Sequence, residues 1–336
     1  MLMRRRNLLI ASLAPACAML SCSRRRDSAR RSTVRVSVAR VLPMSPFYVG
    51  YEAGYFRDAG LDLELSRDLP SLQSIPILSA GKLDVGFVGL GVALLNAVSR
   101  GAGIRIVAGR QISSPSCNLH DKIYVRRSDF PNGIRDLRQL LHRRIAMKSG
   151  TTLGPFCLDK LLERAGMSRA DVEIHNMDFN ECVAALRAGG VDALLSSSSD
   201  GDLGLALRDL QLAPGPSLAD VLPNFQYSFI VFGARLLNGD TETGAAFLRA
   251  YLRGGRDFLS GKTPAFMDEF ARSNQLDPKL VRGACRDSFE HDGRIHFTDL
   301  QMYIDWAVRQ GKIPHPISVQ SLVDTRFLDA LQRMPS

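Results

Sequence analysis

The chain has 336 residues and a formal net charge of +9, but this charge is unevenly distributed. Residues 1–31 hold eight arginines and one aspartate, which leaves 35 basic and 33 acidic residues and a net charge of +2 in residues 32–336. A net charge so close to zero in residues 32–336 argues against nucleic-acid binding, because nucleic-acid-binding proteins concentrate basic residues on one face. The roughly 300 residues of this range suffice for two domains of ordinary size.

The N-terminal segment has the pattern of an export signal. Three arginines at positions 4–6 precede a mostly apolar run over 8–20, and the run ends in a cysteine, Cys22. The run is shorter than the about 20 residues that a membrane-spanning helix needs. It resembles a bacterial lipoprotein signal, so we predict a cleaved signal over 1–22, lipidation of Cys22 and an arginine-rich tether over 23–32. Sec and twin-arginine export both fit, and an uncleaved anchor helix is the alternative.

Strands and helices alternate from residue 33 onward. Val34, Val36 and Val38 alternate with polar residues, which predicts a half-buried strand. Ser45 and Pro46 suit the start of a helix that Gly60 ends. The series continues with a strand at 61–65, a helix at 71–80, a strand at 83–88, a helix at 92–98 and a strand at 104–108. Such a series favours a parallel sheet.

A second series follows an irregular crossing at 113–116. Its predicted elements are strands at 122–126, 144–147, 172–176 and 191–195 and helices at 137–141, 156–165 and 182–188. Two series joined by a crossing predict an α/β protein of two lobes with a cleft between them.

The last third is predicted to contain one apolar strand and five helices. The strand is at 227–232, and the helices are at 243–260, 264–273, 279–286, 299–310 and 324–332. We assign the helices to the first lobe as an outer cover. The predicted lobes are therefore 33–121 with 235–336, and 122–234.

Candidate ligand-binding residues follow the predicted strands, because ligands of parallel sheets bind at strand carboxyl ends and helix amino termini. Those in the first lobe are Pro46, Phe47, Tyr48, Gly89, Leu90, Gly91, Arg110 and Gln111; those in the second are Ser149, Gly150, Thr151, Thr152, Phe179, Asn180, Ser197 and Asn224. Arg110 suits the oxygens of a carboxylate, sulfonate or nitrate. Phe47 and Tyr48 suit a heteroaromatic ring, or pack as ordinary core residues.

Cysteine and histidine spacing indicates neither a metal site nor a catalytic site. The cysteines after the signal are Cys117, Cys157, Cys182 and Cys285, and the six histidines are scattered. Disulfides and free thiols both remain open for these cysteines. We predict no catalytic residue, no cofactor and no metal.

Seven short motifs in order resemble one family, the nitrate, sulfonate and taurine group of ABC-importer substrate-binding proteins, which also includes thiamine-pyrimidine binders. The motifs are Pro46-Phe47-Tyr48-Val49, Glu52-Ala53-Gly54-Tyr55-Phe56, Ala59-Gly60-Leu61-Asp62-Leu63, Ser79-Ala80-Gly81-Lys82-Leu83-Asp84-Val85-Gly86, Arg143-Arg144-Ile145-Ala146, Ser149-Gly150-Thr151 and Leu186-Arg187-Ala188-Gly189-Gly190-Val191-Asp192-Ala193. The chain departs from many relatives at 196–200, where a serine run makes that wall of the pocket more polar.

The resemblance implies a type II periplasmic-binding-protein fold, with two lobes joined by a hinge. It implies an exported, lipid-anchored monomer that captures a small sulfur- or nitrogen-containing organic solute and delivers it to a membrane permease with its ATPase. The alternatives are a thiamine-pyrimidine-precursor binder and an enzyme on the same fold, similar to thiamine-pyrimidine synthases or menaquinone-pathway proteins. The cysteine-rich run of the synthases is missing here.

Overall fold

The structure is a computed structural model that describes residues 31–67, 69, 71–116, 121–148, 153–196, 211–283, 286–314 and 317–333. Its strands are β1 Ser32–Ser37, β2 Leu61–Ser66, β3 Val85–Gly89, β4 Arg105–Ile112, β5 Lys122–Arg126, β6 Arg144–Lys148, β7 Glu173–Met177, β8 Ala193–Ser196, β9 Leu212–Ser217 and β10 Gln226–Phe232. The predicted alternation of strands with helices is confirmed.

The helices of the first two thirds are α1 Ser45–Glu52, α2 Tyr55–Asp58, α3 Ser71–Ser79, α4 Val92–Ser99, α5 Gly154–Arg164, α6 Phe179–Ala188 and α7 Leu218–Val221. Those of the last third are α8 Ala234–Leu237, α9 Thr241–Leu259, α10 Phe266–Ser273, α11 Pro278–Gly283, α12 Phe297–Arg309, α13 Val319–Leu322 and α14 Arg326–Gln332. Short 3-10 helices form at Leu42–Met44, Leu137–Leu140, Arg169–Asp171 and Arg286–Ser288. None of the helices within these described ranges is both long and apolar enough to cross a bilayer.

The first predicted helix is divided into α1 and α2. Gly54 lies between them with a φ of +79°, a left-handed conformation that glycine adopts without steric cost. Gly60, with a φ of +77°, ends α2 as predicted. The sequence predicted one helix from Ser45 to Gly60, but the backbone turns at Gly54.

The first sheet has five strands in the order β2-β1-β3-β10-β4. The strands β1, β2 and β3 are parallel, whereas β10 runs antiparallel to both β3 and β4. From the sequence, the strand at 227–232 was predicted within the second lobe, but the structure places it in the first sheet. All seven residues of β10 are buried, which suits a strand with partners on both edges and helices on both faces.

The second sheet has five strands in the order β7-β6-β8-β5-β9, with β5 antiparallel to its two neighbours. Its edge strand β9 was not predicted, because the segment carries Pro214 and Pro216. Proline cannot donate a ladder hydrogen bond, and it is tolerated in a strand at the sheet edge.

Helix α1 packs closely on α9 at one face of the first sheet. A Cβ atom on Gly254 would lie 2.7 Å from the backbone nitrogen of Gly50 and 2.5 Å from the carbonyl oxygen of Pro46. Only glycine permits this approach, because real Cβ atoms do not come so near to backbone atoms. The contact fixes α1, and with it the loop that follows β1.

A continuous aromatic core connects the two sheets on their other face. The ring of Phe156 in α5 lies 5.1 Å from that of Phe225, 5.3 Å from that of Tyr303 and 5.4 Å from that of Trp306, measured between centroids. The sequence analysis assigned α12, which carries the last two rings, to the first lobe alone. The structure differs here too, since α12 contacts β10 of the first sheet and α5 of the second lobe.

Candidate functional site

The candidate residues of the first sheet gather at one end of its strands, which we call the ligand end of the sheet. The strands β1, β3 and β4 all end there, and β10 begins there. Ser228 is the cross-strand partner of Gly89 on one side and of Gln111 on the other. The structure therefore brings together, at one row of the sheet, residues that the sequence predicted from two separate strands.

Arg110 is buried at this end of the strands, beneath the loop after β1. Its Nη1 donates to the carbonyl oxygen of Pro43 at 2.7 Å, and its Nε and Nη2 donate to Oγ of Ser228 at 3.0 and 2.7 Å. The guanidinium also lies over the ring of Phe87, 5.6 Å from its centroid. The side chain thus braces the loop against the start of β10.

The charge of Arg110 is held among neutral groups. Among the described residues, none of the ion pairs involves Arg110, and burial lowers the pKa of its guanidinium. The hydroxyls of Tyr251 and Tyr227 are the largest opposing influences on that pKa. A buried cation without a carboxylate partner favours an anion placed nearby.

An acidic residue, Asp121, also influences Tyr227. Burial raises the pKa of the Tyr227 hydroxyl, Asp121 raises it further, and Arg110 lowers it. Asp121 is buried at the start of the second sheet, where its carbonyl oxygen accepts from the Cys157 thiol at 3.4 Å. The pKa of Tyr227 is thus influenced by a basic residue of one lobe and an acidic residue of the other.

The aromatic candidates of α1 are core residues. Phe47 is fully buried, and its ring packs 5.2 Å from that of Phe56 and 5.5 Å from that of Phe87. The ring of Tyr48 packs 5.0 Å from that of Phe266, and Pro46 is buried too. The structure therefore gives Phe47 and Tyr48 the packing role rather than an open stacking face.

The glycine pair after β3 begins helix α4. Leu90 is buried and its N–H donates to the carbonyl oxygen of Tyr227 at 2.7 Å. The N–H of Val92, in the first turn of α4, donates to the hydroxyl of Tyr303, whose pKa burial raises. Gly89 is the last residue of β3, Gly91 is the extended N-cap of α4, and a side chain of α12 lies at the amino terminus of α4.

The candidates of the second lobe are only partly described. Ser149, Gly150, Thr151, Thr152 and Ser197 lie outside the described residues, as does Cys22.

Phe179 and Asn180 begin α6, where the Asp178 N–H donates to Glu181 at 3.0 Å in a capping box. Phe179 is half-buried and Asn180 is exposed. Asn224 is exposed in a left-handed turn with a φ of +63°, and its N–H donates to Ser113 O at 2.7 Å. Phe179 and Asn180 thus lie at a helix start and Asn224 lies in a turn, and a role of the three in ligand binding stays a prediction.

Ser228 and Tyr303 were not among the candidates predicted from the sequence, whereas Tyr227 lies in the segment 224–227 that was predicted at the rim of the second lobe. The only signal for Ser228 was a small polar residue inside an apolar run at 227–232. Tyr303 gave no signal, because it comes from a helix that is distant in sequence from every other residue of the site.

An open groove of about 760 Å³ lies elsewhere, between α3 and α4. Its lining includes Ser79 and Ala80 at the end of α3 and Arg100 and Ala102 at the end of α4. These helix ends lie opposite the ligand end of the sheet, which carries Gly89. The groove therefore does not belong to the candidate site.

Comparison with solved structures identifies the fold. The chain is similar to the SsuA aliphatic sulphonate-binding protein of Escherichia coli (TM-score 0.69, 14% identity, 88% of this chain and 92% of that one). It is also similar to the alkanesulfonate-binding SsuA of Xanthomonas axonopodis bound to MOPS (TM-score 0.66, 17% identity, 88% and 99%). A third match is a mutant of DSZB in complex with biphenyl-2-sulfinic acid (TM-score 0.65, 16% identity, 90% and 99%).

These likenesses show the fold alone, since all identities are low. It is the type II periplasmic-binding-protein fold, as the resemblance implied. A search of curated protein sequences found no match. The model of the NMT1/THI5-like family matches residues 43–261, which cover α1 through the end of α9 and more than half of the chain. The chain therefore belongs to the NMT1/THI5-like family.

Proposed function

We propose that the protein is the extracytoplasmic solute-binding component of an ABC importer. The observation that carries this proposal is the convergence of Gly89, Arg110 and Gln111 around Ser228 at the ligand end of the sheet, which faces the second lobe. Membership of the NMT1/THI5-like family supports it. Binding would close the two lobes to the extent that the ligand binds the closed state better than the open one. The closed form would then dock on a permease with its ATPase.

The ligand that we favour is a small organic sulfonate with a positive group, of the taurine class. Arg110 supplies a positive charge without a carboxylate partner among the described ion pairs, and both Arg110 and the buried Asp121 influence the pKa of Tyr227. A zwitterion satisfies the charges of both residues, whereas nitrate or a simple alkylsulfonate satisfies only that of Arg110. The resemblance to sulfonate binders agrees with this choice.

Calorimetric titration with matched ligands tests the proposal. We expect taurine to bind more tightly than ethanesulfonate, which has the same sulfonate without the ammonium group, and both to bind more tightly than nitrate. The variant Asp121→Asn should lose the preference for taurine while it retains ethanesulfonate binding. Tighter binding of an uncharged pyrimidine precursor than of any sulfonate would contradict the proposed ligand class.

An enzyme on the same fold is the second candidate, because DSZB shares it. Two described cysteines, Cys157 and Cys182, are buried, and burial raises the pKa of both thiols, which makes them poor nucleophiles. Incubation of the purified protein with biphenyl-2-sulfinic acid and with sulfonates, followed by chromatography, tests for turnover. Consumption of any of them without a permease would favour the enzyme.

A further inference from the structure

Three side chains of metal-ligating type, Glu290, His291 and Asp292, meet beside the outer edge of β4, and a fourth, His296, approaches Glu290. Their segment is fixed to that strand by backbone hydrogen bonds. The N–H of Glu290 donates to the carbonyl oxygen of Arg110 at 2.9 Å, and the N–H of Gly109 donates to that of Gly293 at 2.8 Å. The cluster therefore has a backbone held in place by the sheet.

Glu290 is the buried member of the cluster. Its side chain is 2% exposed, and within the described part of the chain no group donates a hydrogen bond to its Oε2. Nε2 of His296 lies 3.1 Å from this oxygen, but not in hydrogen-bonding geometry. A buried carboxylate oxygen without a donor is costly, so its place in the fold needs an explanation.

The orientation of His296 points to a cation between these two atoms. Its Nδ1 lies 3.1 Å from Oδ2 of Asp299, and that oxygen also accepts from the N–H of Gln226 at 2.7 Å. Because a carboxylate only accepts, Nδ1 carries a hydrogen toward Asp299. Nε2 is then left on the side of the ring that lies 3.1 Å from the Glu290 oxygen, but it does not point directly at this oxygen. A carboxylate that orients a histidine in this way is the usual outer partner of a metal ligand.

The exposed members of the cluster complete the donor set. Nδ1 of His291 lies 3.6 Å from Oε1 of Glu290, and the ligand atoms of Glu290, His291 and Asp292 all lie within 4.8 Å of one another. Donor atoms about 2.0–2.2 Å from a tetrahedral zinc ion are about 3.3 Å apart, so the exposed side chains of His291 and Asp292 would have to move closer to Glu290 to hold the ion. His291 and Asp292 are exposed, which gives an ion access from solvent.

Arg294 is the competing cation. Its Nε lies 3.4 Å from Oε1 of Glu290, and its side chain is 64% exposed. The guanidinium can therefore leave the carboxylate for solvent when an ion arrives.

We propose that Glu290, His291, Asp292 and His296 form a binding site for one divalent ion of the zinc type. Two imidazoles and two carboxylates are ligands that Zn²⁺ accepts. The site would tie residues 290–296 to the end of β4, next to Arg110. It runs against the expectation from sequence that the protein binds no metal, and it is independent of the proposed transport function.

Zinc titration of the full chain tests the proposal. The protein is purified without a polyhistidine tag, stripped with EDTA and titrated with ZnCl₂ by calorimetry, and Co²⁺ is added separately for visible absorption. We expect one equivalent of zinc and a Co²⁺ spectrum typical of tetrahedral coordination. The variants His291→Gln and His296→Gln should each weaken zinc binding at least about tenfold. His291 is exposed, so its replacement does not endanger folding.

His175→Gln is the matched control, because His175 also approaches a carboxylate, with Nε2 2.9 Å from Glu173, but lies outside the cluster. It should bind zinc as the unaltered protein does. Arg294→Ala should tighten zinc binding, since it removes the competing charge. The proposal is overturned by an unaltered protein that binds no zinc, by His291→Gln and His296→Gln variants that bind normally, by an equal loss in the control, or by an Arg294→Ala variant that gains no affinity.

Discussion

Arg110 has two roles that one substitution would remove together. Its guanidinium satisfies Pro43 and Ser228, and it supplies the positive charge that we assign to ligand binding. Truncation leaves those acceptors buried without a donor, which costs about 1–3 kcal/mol. A loss of affinity after truncation alone therefore does not separate a ligand contact from a structural brace.

We expect Arg110→Ala to lower the free energy of unfolding by about 1–3 kcal/mol and to weaken sulfonate binding by more than about 1.5 kcal/mol. Denaturant unfolding and calorimetric titration measure the two effects. Arg105→Ala is the control at the other end of β4, where the side chain donates only to backbone oxygens of 102 and 104. An Arg110→Ala protein that binds its ligand normally would exclude Arg110 from the site.

Asp84 predicts a pH dependence of stability. The carboxylate is fully buried, which raises its pKa, but hydrogen bonds from Arg235 and Arg35 more than offset this and lower the pKa to about 2. A depressed pKa stabilises the folded state above the ordinary value of 3.8, and this contribution is lost as pH falls from 3.8 towards 2.

We expect Asp84→Asn to destabilise the protein by about 2 kcal/mol at neutral pH. The difference from the unaltered protein should shrink as pH falls below 3.8, which urea unfolding at several pH values measures. A difference that stays constant down to pH 2 would show that the charge of Asp84 is not responsible.

At the scale of elements, the same clasp occurs once in each sheet. Asp84 accepts from the backbone N–H, Nε and Nη2 of Arg35 in β1, and Asp192 accepts from the same three groups of Arg144 in β6. Arg35 also donates to the carbonyl oxygen of Gly81, just after α3, and Arg144 donates to those of Gly189 and Gly190, just after α6. Two of the short motifs that suggested the family thus have a physical role, because their aspartate joins neighbouring strands.

Asp192→Asn is the matched control for Asp84→Asn. It should lower the free energy of unfolding by less, since Asp192 is partly exposed.

Helix α12 joins the two lobes through one buried hydrogen bond. Nε1 of Trp306 donates to Oδ2 of Asp159 in α5 at 2.7 Å, and Asp159 also accepts from Arg169. We expect Trp306→Phe to keep the ring packing and lose this bond, which is worth about 1.5–3 kcal/mol for a charged acceptor.

The consequence that we predict for Trp306→Phe is easier opening of the lobes. Small-angle scattering without ligand should give a larger radius of gyration, and urea unfolding should give lower stability. Arg169→Ala is the comparison, because it removes a contact to the same carboxylate from within the second lobe. Equal radii for Trp306→Phe and the unaltered protein would mean that the bond does not restrain opening.

At the scale of the whole molecule, attachment to the membrane is predicted from the N-terminal signal alone. Lipidation at Cys22 would hold the protein at the membrane through the tether of 23–32. We expect Cys22→Ala to move the protein from the membrane fraction to the soluble fraction without a change in solute affinity, because the binding residues lie far along the chain. Cell fractionation with immunoblotting measures this. A variant that stays in the membrane as an uncleaved precursor would favour an anchor helix.

The sequence by itself determined the elements and the fold class. Hydrophobic periodicity, glycine stops and helix-start residues are local signals, and they predicted most strands and helices of both sheets to within a few residues. They also predicted which residues come together near Ser228, because residues that follow parallel strands all lie at the same end of the sheet.

Only the tertiary structure decided which surfaces meet. The apolar sequence of β10 predicts that the strand is buried, but it does not predict which sheet the strand joins. An aromatic residue such as Phe47 suits a core as well as a ligand. The contacts of Trp306 with α5 and of His296 with Glu290 join residues whose sequence patterns carry no mutual signal. Such contacts depend on the path of the whole chain, because side-chain partners are chosen by packing after the elements have formed.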